Sequence, residues 1–304
     1  MIEKDYHYLS SDRKTKIHFH EWLPEGHPKA VVQVSHGITE HIGRYHKLAS
    51  ALVEKGYAVA GNDHAGHGES EKPDHYRWEY LVKDTHRLQE YLKQQYPTVP
   101  FYSIGFSLGS FVVRDLLAHY PDSTGAAILI GTGFQSASQL SFAKAIAGLE
   151  AKRVGDGNRS KFIQALSFGT YNRYFKPNKT EFDWLCESKE GRNDYIQDDA
   201  CGEYMPAGLF RELLCGMLAT GSKESIEKIP KKLPVLLLSG NDDPVGEMGK
   251  GVARLMNAYK EAQINDVSVN FYPGRHDILH EACQDHVIGD IVEWLDGLYW
   301  QEYL

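Results

Sequence analysis

Three short segments hold residues whose types and spacing could carry out nucleophilic chemistry. The first is Gly105-Phe106-Ser107-Leu108-Gly109, a serine between two glycines, placed after an apolar run that reads as a buried strand and before a stretch with helical periodicity. Glycine at both flanks points to a chain folded too tightly for a Cβ. A sharp strand-to-helix turn of this kind lifts the Ser107 hydroxyl above the edge of a sheet and sets it at the N-terminus of the next helix.

A serine hydroxyl is a weak nucleophile and needs a base, which in turn needs a group to hold its tautomer. An acid and then a histidine should therefore follow further along the chain. Both are present in that order, in GNDDPVG (240–246) and PGRHDILHE (273–281), each just after an apolar run. Asp243, next to Pro244, is preferred to Asp242, which suits a turn or cap. His276, in the loop after Pro273-Gly274, is preferred to His280 at the start of the last helix. HDILH also resembles a zinc-binding H-E-x-x-H with Asp for Glu. That motif needs both histidines on one helical face, and Pro273-Gly274 leaves little room for a helix there.

Tetrahedral intermediates need two donors for their negative oxygen, and backbone N–H groups supply them in this chemistry. The run 31–35 leads directly into His36-Gly37-Ile38, so the N–H groups of Ile38 and Leu108 are the candidates. His36, His41, His64 and His67 are read as loop-orienting hydrogen-bond partners. No metal or organic cofactor is required by this set.

The elements that must position these residues form an alternating pattern. Strand-like runs lie near 6–9, 16–22, 31–35, 58–62, 101–105, 126–130, 235–239 and 267–272, with helical patterns at about 45–55, 78–95, 107–119, 249–263 and 281–298. Alternation of this kind predicts an α/β fold with an eight-stranded, mostly parallel sheet flanked by helices. Strand patterning stops after Gly133 and resumes only after Lys232. QLSFAKAIAGLEAK and DWLCESKEGRNDYIQDDACG read as helical there. The expected organisation is a core of 1–133 and 233–304 with a helical cap inserted at 134–232, over the carboxyl ends of the strands where open α/β sheets bind ligands.

Composition narrows the classes. With 42% hydrophobic and 24% charged residues the chain is that of a folded globular protein, and a net charge of −8 with no concentrated basic patch argues against nucleic acid. MIEKDYHYLS lacks the basic start and apolar stretch of a signal peptide, so a cytoplasmic protein is expected. Cys186, Cys201, Cys215 and Cys283 show no paired CxxC spacing, which leaves reduced thiols as the default.

Taken together, SHGITEHIGRY (35–45), NDHAGHGES (62–70), GFSLGS (105–110), GNDDPVG and GRHDILHE resemble the α/β-hydrolase superfamily, in its monoacylglycerol lipase and lysophospholipase-like branch. The similarity implies the α/β-hydrolase fold, triad roles for Ser107, Asp243 and His276, oxyanion roles for Ile38 and Leu108, and bracing roles for Glu40 and Arg44 around the HG loop. It implies a serine hydrolase cleaving monoacyl lipid esters, with short-chain carboxylesterase, amidase or aminopeptidase, and a non-catalytic ligand-binding relative as alternatives. Phe106 stands where the branch usually has His, and Asp199 where Pro is common. The expected partner is a small lipid-like ester, with transient contact between the cap and a membrane surface; the oligomeric state is left open. Leu140, Phe142, Ile146, Phe162, Leu166, Phe168, Leu209, Phe210, Leu213 and Leu214 are the candidates for lining an acyl-chain channel.

Overall fold

A computed structural model describes residues 1–303. Eight strands form one sheet: β1 (Ile2–Leu9), β2 (Lys16–Leu23), β3 (Ala30–Ser35), β4 (Tyr57–Asn62), β5 (Phe101–Phe106), β6 (Ala126–Ile130), β7 (Val235–Gly240) and β8 (Val267–Tyr272). Their order is β1-β2-β4-β3-β5-β6-β7-β8. β3 to β8 run parallel, while β2 is antiparallel to both β1 and β4. Every residue of β3, β4, β5, β6 and β7 is buried. That explains their near-continuous apolar sequences, since parallel strands are covered on both faces. β1 is instead an exposed edge carrying Glu3, Lys4 and Asp5, charges that discourage pairing with another chain.

The helices that cover the sheet are α1 (His46–Glu54), α2 (Trp78–Gln95) and α3 (Leu108–His119), with α10 (Lys250–Glu261) and α11 (Gln284–Tyr303) following β7 and β8. Leu48 and Leu52 of α1 share one cluster with Val287, Ile291 and Leu295 of α11. Val113 and Leu117 of α3 pack with Leu255 and Tyr259 of α10 against the other face. Between β6 and β7 come α4 (Ala137–Val154), α5 (Lys161–Leu166), α6 (Phe168–Asn172), α7 (Lys189–Gln197), α8 (Ala207–Thr220) and α9 (Lys223–Lys228). Their apolar side chains do not form a separate core: Leu140, Phe168, Trp184, Phe210 and Leu214 cluster with Ile38, Leu108 and Phe111. Among the described residues no helix is long and apolar enough to cross a membrane.

Two local expectations need correction. The first strand begins at Ile2, because its pairing with β2 runs from Ile2–Leu23 to Leu9–Lys16 rather than covering only its last four residues. Residues 183–202 are not one helix, since α7 occupies only Lys189–Gln197. Asp183 is the reason at the front end, where its carboxylate accepts the Lys179 and Thr180 N–H groups and holds a turn.

Candidate active site

Ser107 joins β5 to α3 with φ 49° and ψ −115°, a conformation L-residues rarely adopt. Space around the turn explains both glycines: a Cβ at Gly105 would collide with the Gly109 carbonyl, and one at Gly109 with the Ser35 carbonyl of β3. The backbone is tied down by Ser107 N–H donating to Ile130 O at 2.9 Å and Ser110 N–H to Ser107 O at 2.9 Å. Such over-determination is what allows a strained residue to persist.

The three sequence-predicted side chains meet above the ends of β5, β7 and β8. Ser107 Oγ lies 2.9 Å from His276 Nε2, and His276 Nδ1 lies 2.9 Å from Asp243 Oδ1. Asp243 and His276 are buried, and Asp243 Oδ1 also accepts the Val245 N–H at 2.8 Å. The imidazole is held between the rings of Phe106 and Trp184, with centroids at 5.0 and 5.3 Å. Neither competitor joins the set. Asp242 is exposed, with its N–H bonded to Gly274 O. His280 bonds to Asp277 and to Arg44 and does not share a helical face with His276, which also disposes of the zinc-motif alternative.

Carboxylates brace the two loops that carry this set. Glu40 accepts the Gly37 N–H at 2.6 Å, the Tyr45 hydroxyl at 2.8 Å and Arg44 Nε at 2.9 Å. Arg44 then reaches Asp277 Oδ2 at 2.7 Å, linking the loop after β3 to the residue following His276. Burial favours neutral Asp277, but His280 and Arg44 prevail and hold its carboxyl down at about 2. Glu281 accepts the N–H groups of Arg275, Glu187 and Ser188 at 2.9, 2.6 and 2.8 Å. Ile38 and Leu108 both border the space onto which Ser107 opens, and Leu108 starts α3, where N–H groups have no helical acceptor.

The histidines expected to orient loops do so. His36 Nδ1–H donates to Gly37 O at 2.6 Å, leaving Nε2 to accept the His64 N–H at 2.9 Å. Its ring lies 4.3 Å from that of His64 and 5.3 Å from that of His67. Burial pushes all three down, with neighbouring imidazoles adding to it at His36 and His64: His64 to about 3, His36 well below its ordinary value, His67 in the same direction. Below about pH 6.5 the unfolded chain therefore binds protons the native state refuses, so their stabilising effect is constant above that pH and lost as pH falls through it. Unfolding free energy should be constant above about pH 7 from this source and fall below it by up to about 1.4 kcal/mol per histidine per pH unit, with Tm following. Calorimetric scans from pH 8 to 5 on wild type and His64→Gln measure this; an equally steep fall in the variant would place the cause elsewhere.

A cavity of about 540 Å³ opens at Ser107. Leu140, Leu166, Phe168, Phe210, Leu213 and Leu214 line it, joined by Met205, Met217 and Trp184. The other four candidates do not. Phe142 and Phe162 are exposed on the outer surface, Ile146 falls off the wall, and Leu209 borders a separate cleft with His67 and Tyr76. Trp184, Asp277 and Glu281 had no local signal in the sequence. Each acts across a long chain separation.

The family described as serine aminopeptidase, S33, matches residues 26–283. Human monoglyceride lipase is 28% identical over 269 residues, 87% of this chain and 80% of the relative. Monoacylglycerol lipase of Mycolicibacterium smegmatis is 27% identical over 290 residues, 92% of each chain. Among solved structures, a thermostable carboxyl esterase from Bacillus coagulans superposes with a TM-score of 0.88 at 25% identity, covering 98% of this chain and 99% of that one. With the sheet order and the Ser107 turn, these matches show that the chain belongs to the serine aminopeptidase S33 family of α/β-hydrolases and resembles its monoacylglycerol-lipase-like members.

Proposed function

We propose that this protein is a serine carboxylic-ester hydrolase that works through an acyl-enzyme on monoacyl lipid esters, monoacylglycerol or lysophospholipid in class. The supporting observation is one cavity, mainly apolar in its walls, that opens on Ser107, whose Oγ lies within bonding distance of the His276–Asp243 pair. In this scheme Ser107 Oγ attacks the ester carbonyl while His276 Nε2 takes its proton. Asp243 holds the Nδ1–H tautomer and stabilises the imidazolium. The Ile38 and Leu108 N–H groups receive the negative oxygen. His276 then returns the proton to the departing alcohol, and water repeats the sequence on the acyl-serine.

Residues 134–232 act in this scheme as the cap that supplies the acyl wall, over a core of 1–133 and 233–304. Exposed Phe142 and Leu149 on α4 favour transient contact of the cap with a lipid surface. The expected cytoplasmic location belongs to the same proposal.

The family description favours a second reading, removal of an N-terminal amino acid. Capture of an α-ammonium needs a carboxylate on the wall. Among the described lining residues only Glu247 carries charge, and it is already paired with Arg254. Steady-state rates over p-nitrophenyl esters of graded length, monoacylglycerols, lysophospholipids and aminoacyl p-nitroanilides separate these readings. kcat/KM should rise by up to about fourfold per methylene, the equivalent of 0.8 kcal/mol, until the cavity is filled. Leu213→Trp should move the optimum to shorter chains. Strict preference for acetyl esters, or for the anilides, would defeat the lipid-ester proposal.

A further inference from the structure

We propose that Asp5, His18 and His20 form a site for a divalent cation of the Zn²⁺ class on the outer hairpin of the sheet. In the antiparallel pairing of β1 with β2, Asp5 lies opposite His20 and His7 opposite His18, so these side chains share one face. His18 Nε2 and His20 Nδ1 both converge on Asp5 Oδ1, at 2.8 and 2.7 Å. The three candidate ligand atoms all lie within 4.8 Å of one another.

The outward-facing nitrogens strengthen the assignment. His18 Nδ1 is 2.8 Å from Asp63 Oδ2, and His20 Nε2 is 3.2 Å from Glu3 Oε2, though out of hydrogen-bond alignment. Metal-bound histidines usually give their second N–H to a carboxylate, which fixes the tautomer and leaves the inner lone pair for the ion. His18 is backed in this way by Asp63, and Glu3 stands close enough to do the same for His20 after a small rotation. Two imidazoles and one carboxylate suit Zn²⁺, with water in the fourth position. Ligands at about 2.1 Å in a tetrahedron stand about 3.4 Å apart, so the donors must spread by roughly half an ångström. Asp5, half-exposed on the edge strand, has the freedom to do this.

A second cluster, His41, Asp198 and Cys201, fails the same test. Gly43 N–H donates to His41 Nδ1, so the proton sits on Nε2 and is given to Asp198 at 2.8 Å. With Nδ1 accepting, His41 has no outer N–H to give a carboxylate, and an ion displacing the proton from Nε2 would force it against the Gly43 N–H. At the proposed site, by contrast, binding would staple the hairpin to the loop after β4, because Asp63 also accepts the N–H groups of Ile42 and Glu69 at 2.8 and 3.0 Å. The expected benefit is stability rather than turnover.

The test uses untagged, chelator-treated full-length protein, titrated with Zn²⁺ by calorimetry and with Co²⁺ by visible absorption. One equivalent should bind, Tm should rise with Zn²⁺, and Co²⁺ should give d–d bands without a sulfur charge-transfer band. His20→Gln and Asp5→Asn should each weaken binding by about tenfold or more, leaving ester hydrolysis unchanged, while Cys201→Ser binds normally. Absence of saturable binding in wild type overturns the assignment. So does equal affinity in His20→Gln and Asp5→Asn, or a sulfur band lost in Cys201→Ser.

Discussion

Ser107→Ala is expected to lower kcat/KM for a monoacyl ester on the order of 10⁶-fold, the scale lost when a triad serine is removed elsewhere. Ser107 Oγ bonds to His276 and opens on the cavity, and the substitution keeps Cβ, so the fold loses little. Tm should stay close to wild type, and labelling by a fluorophosphonate should disappear. What activity remains reports the backbone donors and binding alone. Steady-state kinetics on enzyme free of wild-type contamination settle the point: esterase activity within tenfold of wild type would rule out an acyl-enzyme at this residue.

His276→Ala should cost about as much, again on the order of 10⁶ in kcat/KM, because Ser107 then has no acceptor for its proton. The informative measurement is the double variant with Ser107→Ala. Groups that act as one unit lose their effect once, so the pair should be no slower than either single variant. Additive losses would mean that the two side chains work separately, despite their 2.9 Å contact. His280→Gln supplies the contrast: its ring bonds to Asp277 and Arg44, so its loss should lower Tm far more than it changes turnover at saturating substrate.

Much of this site was legible in the sequence because its requirements are local. A strand, a tight turn and a helix demand glycine at fixed offsets, and Gly105 and Gly109 meet that demand against Gly109 O and Ser35 O. Fully buried strands announce themselves as apolar runs, so the sheet was legible except at the edge: exposed β1 carries no such run over Ile2–Asp5. The paired candidates were separable for the same reason. Asp243 and His276 stand in the loops that follow β7 and β8, whereas Asp242 lies in a turn and His280, read as a helix start, precedes α11 by four residues.

The rest depends on contacts between distant segments, which leave no period behind. Trp184 reads as one apolar residue of an expected helix, yet it packs on His276 from 92 positions away along the chain. Asp277 and Glu281 read as polar residues of the final loop and helix start, and only the fold shows which backbone groups they satisfy. Half-burial blurs the helices between β6 and β7 likewise: α4 places Leu140 on the cavity wall and Phe142 in solvent, with no single apolar stripe to decide between them.

The carboxylate of Glu281 has a mechanical meaning. It clasps Glu187 and Ser188 on one side and Arg275 on the other, while Asp277 N–H donates to Leu185 O at 2.7 Å and Gly202 N–H to Thr39 O at 3.0 Å. The strip 185–202 is thereby riveted to the same frame as His276. Asn172 Oδ1 on α6 accepts the Trp184 N–H at 2.9 Å, which ties the end of the α4 to α6 roof to this strip as well. A cavity framed this way can change occupants while the Ser107–His276–Asp243 contacts stay aligned.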